Sequence, residues 1–363
     1  MARGSLRLQS ASCQILFWEG GELRIANYLT RREFAANPVT LEMIRFFFTP
    51  RTVRDALVQF RTYRPSSVAK AIVQLVESVL LLEYGSPEWK RDERVSRLWS
   101  RWLPEGSFHF MTKDTPYVPQ NWPLEEKIKT LSTDPPPAQF KTVRGARTTR
   151  LPSQQIPKDT FFTTLHARRT HRVFARGTVP LATIAQLLQN TWRVQGYFHT
   201  KVFGKLPYKT SPSGGSRHPG EVYLMALRVE GLERGLYHYH ARDHRLARLP
   251  AKVSPRIASA YCADQPWFAA ASALFVMTAV FGRTMWKYGR ARAYRVVLLE
   301  TGHLCQTLCL TATRLGLAPF CTAALKDSQI EKDLGLDGIY ESVLYVAGVG
   351  LCPSRGRANI TTS

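Results

Sequence analysis

The amino-acid sequence predicts an α+β protein in two parts, a small winged-helix-like domain over residues 1–105 and a larger domain over 157–363. Three observations lead there. Two strand-like runs and three helical patterns fill the first part. A proline-rich stretch over 106–156 interrupts regular structure. From Asp159 onward, strand-like and helix-like patterns alternate to the end of the 363-residue chain.

In the first part, residues 13–18 and 23–28 read as strands joined by Glu19-Gly20-Gly21-Glu22. A Gly-Gly pair tolerates the positive φ angles of a tight hairpin. Three helices should follow. The first covers 41–48. Thr52 opens the second, with Asp55 three residues on as a variant capping box, and Val53, Leu57, Val58 and Phe60 on its inner face. The third starts at Ser66 or Ser67 and runs through Ala71, Val73, Leu75, Val76 and Val79 to Leu82.

Residues 106–156 hold Pro116, Pro119, Pro123, Pro135, Pro136, Pro137 and Pro152, too many for a continuous helix or central strand. They read as a linker with one short helix over 124–131. In the larger part, helices are expected over 161–168, 181–192, 253–262 and 291–317. Strands are expected over 221–229, 236–240, 246–249, 273–281 and 340–349. Apolar residues cover most of the circumference of 291–317, among them Val297, Leu298, Leu304, Leu308, Leu310 and Leu315. Such a helix needs full burial or a subunit interface.

The formal net charge is +23, with most of the excess beyond residue 156. That field attracts nucleic acid, phosphate groups or acidic peptides. No run of five basic residues marks a nucleic-acid tail, so nucleic acid is not the expected partner. The six cysteines include no CxxC. Cys305 and Cys309 should share a helix face, and reduced core thiols are expected instead of a disulfide framework or a metal site. The N-terminus lacks the apolar run of a secretory signal, and the longest apolar stretch, 267–281, is too short to span a bilayer. A soluble, cytoplasmic protein is expected.

Four clusters carry chemistry. Arg168-Arg169-Thr170-His171-Arg172 closes a helical pattern, and its guanidiniums suit a phosphate through bidentate donors. The loop 211–219, Ser-Pro-Ser-Gly-Gly-Ser-Arg-His-Pro, precedes a strand, and its glycines let backbone N–H groups approach a flat or anionic ligand. It is not a Rossmann fingerprint, and the chain has no P-loop. Lys287 and Tyr288 lie in an aromatic and arginine-rich stretch over 286–295, followed by Glu300, His303 and Gln306. Partial burial beside arginines would favour the neutral amine of Lys287 and suit it to general-base work. Arg355 and Arg357 lie beyond the last strand.

In this order the clusters resemble the nitroreductase-like superfamily, and more closely its SagB-type branch, the azoline dehydrogenases of thiazole/oxazole-modified peptide biosynthesis. The resemblance covers about 159–350. Arg168, Arg169, Thr170 and Arg172 match the RRSxR segment that holds the FMN phosphate, with Thr in place of Ser. Pro212, Ser213, Gly214 and Gly215 match the PSGG segment that packs along the flavin. Lys287 and Tyr288 match the Lys-Tyr pair implicated in catalysis. More loosely, Ala323 and Ala324 fall near the loop over the isoalloxazine ring, and Arg355 and Arg357 resemble C-terminal phosphate contacts. The resemblance implies a mixed sheet flanked by helices, non-covalent FMN, a homodimer with shared flavin sites, and oxygen as electron acceptor. The substrate implied is an azoline-bearing peptide with a leader, supplied by a cyclodehydratase partner. The N-terminal part resembles the PqqD-like winged-helix elements that clamp leader peptides. Three alternatives stay open: an FMN dehydrogenase of another peptidic or carrier-bound substrate, an NAD(P)H-dependent nitro- or quinone reductase, and a non-enzymatic winged-helix redox sensor. Against the last, the third helix pattern, 68–82, holds only Lys70 against Glu77.

Overall fold

The computed structural model describes residues 6–115 and 159–353, with isolated positions at 125, 126, 129, 133, 139, 140 and 151. Two small sheets open the chain. Strand β1 (Arg7–Ser10) lies at the centre of a three-stranded sheet completed by two later strands. Strands β2 (Gln14–Glu19), β3 (Glu22–Asn27) and β4 (Arg32–Ala35) form an antiparallel meander. The hairpin falls where the glycines predict it, with φ of 58° at Gly20 and 85° at Gly21.

Helix α1 (Pro38–Phe46) starts three residues before the expected 41–48, because Asn37 caps it with a capping box. After β5 (Arg51–Thr52), Thr52 and Asp55 close the predicted box on α2 (Val53–Gln59): Asp55 N–H donates to Thr52 Oγ1 at 3.1 Å, and Thr52 N–H to Asp55 Oδ2 at 2.9 Å. Helix α3 (Pro65–Glu77) stops short of Leu82. Val79 turns the chain at a φ of 59°, and β6 (Leu81–Glu83) pairs with β1 instead. Strand pairing thus overrides the helical period of that apolar run. Helix α4 (Pro87–Leu98), not expected from the sequence, is capped by Ser86 and buries Asp92, which accepts from the N–H groups of Ser12 and Cys13 at 2.8 and 3.0 Å.

The expected linker over 106–156 begins instead as structure. Helix α5 (Ser107–Met111) packs with Trp99 and Trp102 into a core shared with Phe281, Met285, Val297 and Ile339 of the larger part. The short helix expected over 124–131 lies outside the described residues, apart from positions 125, 126 and 129.

The larger part is built on one six-stranded sheet, in the order β13 (Arg245–Leu249), β12 (Gly235–His240), β10 (Gly220–Ala226), β14 (Ala273–Val280), β16 (Glu341–Leu351), β15 (Leu317–Thr322). All its pairings are antiparallel. The mixed sheet that the resemblance implies is therefore corrected on strand direction. The parallel pairing described, β7 (Val179–Pro180) with β11 (Val229–Glu230), stands apart from it.

Side chains alternate across the sheet. Val222 and Leu224 face α7 (Leu181–Trp192) and α10 (Tyr294–Arg314), packing with Leu187, Leu188, Leu304 and Leu308. Tyr223 and Met225 face α8 (Pro255–Tyr261) and α11 (Asp327–Leu334), packing with Tyr261, Phe268 and Ile330. With both faces covered, every residue of β14 is buried. Helix α10 is shorter than expected and one-sided. It buries Val297, Glu300, Leu304, Leu308 and Ala312, while Leu298 and Leu299 stay 42% and 61% exposed. Strand β15 was not among the expected strands, and as an edge strand it accommodates Pro319.

Candidate functional site

The site forms around the first turns of α10. Strand β14 runs into α9 (Phe281–Lys287), which ends at Lys287. The turn that follows is held by the N-terminal part: Trp102 Nε1 donates to the Tyr288 carbonyl at 3.0 Å, and Arg101 donates to the carbonyls of Met285 and Trp286 at 3.3 Å. Lys287 Nζ sits 4.3 Å from the Phe203 ring centroid, and Arg217 stacks on Trp286 at 5.1 Å.

The glycine loop closes on this pair. Gly215 has a φ of 61°, and a Cβ there would lie 2.5 Å from Lys287 Nζ and 2.7 Å from Tyr288 Oη. A Cβ on Gly214 would strike Val296 of α10. Only glycine serves at both positions. Ser213 Oγ accepts from the His218 N–H at 2.9 Å and helps fix the loop. Two clusters about 70 residues apart in sequence, 212–215 and 287–288, are therefore in contact. Behind them Glu300 is buried, and that burial pushes its carboxyl above the usual range.

A cavity of about 470 Å³ opens beside the same turns of α10. Tyr294 and Leu298 line it from α10, Ala323 and Leu325 from the turn after β15, Asp327 from the start of α11, and Phe108, His109 and Lys113 from α5 and the turn after it. Ala324 N–H donates to Thr322 Oγ1 at 3.1 Å, fixing that turn. His109 Nδ1 lies 3.1 Å from Tyr294 Oη. Burial, then the charge of Lys113, hold the His109 imidazole well below its ordinary pKa, so it is neutral. Its Nε2 is buried without a hydrogen-bond partner. Sequence reasoning missed His109, Lys113 and Asp327. His109 and Lys113 fall in the stretch read as linker, and only long-range packing brings them here.

Burial pushes the Asp327 carboxyl up to about 6 from an ordinary value of 3.8. A carboxyl that prefers to be neutral in the folded state stabilises the fold while protonated. That contribution is fully present below pH 3.8 and is lost as pH rises through about 6. Urea unfolding across this window should show Asp327→Asn lacking part of the wild-type decline in stability. Parallel pH profiles for the two proteins would refute the assignment.

The arginine cluster lies elsewhere along α10. Helix α6 (Thr160–Ala167) ends just before Arg168, and the His171 N–H donates to the Pro319 carbonyl of β15 at 3.0 Å. Arg168 acts electrostatically on Cys309 of α10, whereas Gly214 meets Val296. Thirteen residues separate these points, about 20 Å of helix. Arg169 donates to the carbonyls of His166 and Arg168, and Arg172 stacks over Trp267 at 5.1 Å. Arg168, Arg169 and Arg172 form no ion pair with a carboxylate among the described residues. Thr170 is exposed. Arg355 and Arg357 lie outside the described residues.

The chain belongs to the nitroreductase family, whose model matches residues 165–351. That family is generally flavin-dependent, and membership marks the chain as an oxidoreductase. Among particular proteins, it is 27% identical over 324 residues to the trifolitoxin-processing protein TfxB of Rhizobium leguminosarum bv. trifolii, covering 82% of this chain and 83% of that one. It is 30% identical over 131 residues to the microcin B17-processing protein McbC of Escherichia coli, covering 35% of this chain and 48% of McbC. The solved E. coli microcin synthetase McbBCD complex with truncated pro-MccB17 bound aligns with 72% of this chain and 94% of its own, at 22% identity and a TM-score of 0.49. Among the described residues no helix is long and apolar enough to cross a membrane.

Proposed function

We propose that the protein is an FMN-dependent azoline dehydrogenase that converts thiazoline or oxazoline rings in a ribosomally made peptide into thiazoles or oxazoles. The observation that carries this reading is the contact of the Lys287-Tyr288 pair with the Gly214-Gly215 loop. The likeness to TfxB supports it further. It covers 82% of the chain, so it extends well outside residues 165–351 and takes in much of the N-terminal part.

The residues present fit FMN. Three arginines without a carboxylate partner suit its phosphate, and the glycine cradle leaves room for a flat ring. Arg168, Arg169, Thr170 and Arg172 would hold the phosphate, joined by Arg355 and Arg357. Pro212, Ser213, Gly214 and Gly215 would flank the flavin, and Ala323 and Ala324 would cover it. Because the arginines and the glycine loop stand about 20 Å apart on α10, one ligand draws them together most simply across two chains. Exposed Phe161, Phe162, Leu165, Leu298 and Leu299 offer the apolar surface for such a homodimer. Held by these residues, FMN would supply the hydride acceptor for the azoline ring, with dioxygen as the final electron acceptor. Lys287 or Tyr288 takes the ring proton, so that the ring loses one hydride and one proton and becomes aromatic.

The N-terminal part, proposed as a domain over 1–105, offers a place for a leader. Strand β4 pairs only with β3 among the described strands, and a groove lined by Phe34, Val39, Ala71 and Leu75 runs beside it. A leader segment could add there as a further strand. A cyclodehydratase partner must supply the azoline.

The test is spectroscopic and chemical. The purified protein should show flavin absorption and release FMN on heating. It should then remove two hydrogens per ring from an azoline peptide in air. Added FMN at 100 times its Kd should stabilise the fold by about 2.7 kcal/mol, and Arg168→Ala should diminish that gain. A protein that stays colourless with added FMN refutes the reading. Turnover of a nitroaromatic with NADPH, without azoline oxidation, would make it a reductase instead.

A further inference from the structure

Three of the six cysteines gather at one point. Cys305 and Cys309 stand one turn apart on α10, and Cys321 lies on β15, against which α10 packs. Their Sγ atoms all lie within 4.8 Å of one another. Among the described residues this is the one group of three or more His, Cys, Asp or Glu side chains so placed. All three thiols are free, two of them buried and Cys321 half-buried.

A buried cysteine ordinarily packs as a small apolar residue. This group is different, because polar partners are aimed at the sulfurs. Tyr345 Oη donates to Cys321 Sγ at 3.1 Å. The Arg168 guanidinium also lies near the cluster and acts electrostatically on it. A phenol O–H donor and a nearby cation are partners that a thiolate accepts better than a thiol.

We propose that Cys305, Cys309 and Cys321 bind one Cu(I) ion through three thiolates. Soft thiolates select Cu(I), zinc or iron–sulfur clusters. A structural zinc site takes four protein ligands, and no fourth His, Cys, Asp or Glu joins this group among the described residues. In a trigonal set with metal–sulfur bonds of about 2.3 Å the sulfurs are about 4.0 Å apart, so the cluster needs to close by less than about 1 Å. Leu304, Leu308 and Leu317 belong to the same apolar core as Cys305 and Cys309. Tyr345 and Arg168 offset part of the excess negative charge. Loading releases the thiol protons of the three cysteines to solvent, with no change in oxidation state.

The experiment uses the full chain, reduced and free of air, titrated with Cu(I) held as its bicinchoninate complex. The protein should withdraw one Cu(I) per chain, and copper-edge X-ray absorption should show three sulfur neighbours and no nitrogen. Cys309→Ser and Cys321→Ser should lose the uptake, while Cys13→Ser and Cys262→Ser should keep it. A wild-type protein that leaves the copper with the chelator overturns the proposal, whatever the variants do. So does undiminished uptake by the Cys309→Ser/Cys321→Ser double variant, or equally tight uptake of zinc. Because the readout is copper stoichiometry, it is independent of the flavin and of the azoline reaction.

Discussion

Lys287→Ala is expected to keep its flavin and to lose substrate oxidation by roughly 10²- to 10⁴-fold, the contribution of a positioned general acid or base. Lys287 forms no ion pair among the described residues, and its Nζ rests on aromatic faces beside Gly215. Truncating it removes little from the fold, because the turn around it is fixed through its carbonyls by Arg101 and Trp102. Tyr288→Phe removes only the hydroxyl and separates the two candidates for the ring proton. The variant that has lost the base should lose the acid limb of the kcat profile, where that base becomes protonated, and the other should keep it. Gly215→Ala should impair both at once, since its Cβ would press on Lys287 Nζ and Tyr288 Oη and its φ is left-handed. Flavin released from Lys287→Ala, with normal oxidation after reconstitution, would reassign Lys287 to cofactor binding.

The parts of this site that were legible in the sequence are those set by local chemistry. Gly20 and Gly21 announce a hairpin because only their backbone tolerates both positive φ angles. Thr52 and Asp55 announce a helix start because the cap closes within four residues. The Gly214-Gly215 and Lys287-Tyr288 clusters were visible as types, while their contact was a matter of resemblance. What stayed hidden depends on distant partners. His109 meets Tyr294 across 185 positions, and Lys113 meets Glu331 across 218. Composition alone made that stretch a linker. Leu298 and Leu299 satisfy an all-round apolar helix in sequence, yet the fold leaves them exposed because α10 meets its sheet along one stripe.

Lys113→Met is expected to lower stability by about 3–5 kcal/mol, the range for breaking a buried ion pair from one side. Lys113 Nζ lies 2.8 Å from both carboxylate oxygens of Glu331, donates to the Gly338 carbonyl at 3.0 Å, and leaves both side chains 8% exposed. Gly338 permits the approach: a Cβ there would crowd both charged groups. Losing the ammonium strands the Glu331 carboxylate without a counter-ion in low dielectric, which costs more than the pair itself contributes. Lys113→Met/Glu331→Leu should therefore recover most of the loss, giving a large coupling energy in a double-mutant cycle by urea unfolding. Additive losses would mean that the two charges act independently. The pair also ties the turn after α5 to α11 beside the cavity that Lys113 and Asp327 line, so the single variant should weaken the cavity wall as it weakens the fold. If the N-terminal part only packed against the body without shaping the site, Lys113→Met would lower stability and leave substrate KM unchanged. A raised KM at temperatures where the variant is still folded is the result expected when that wall belongs to the substrate site.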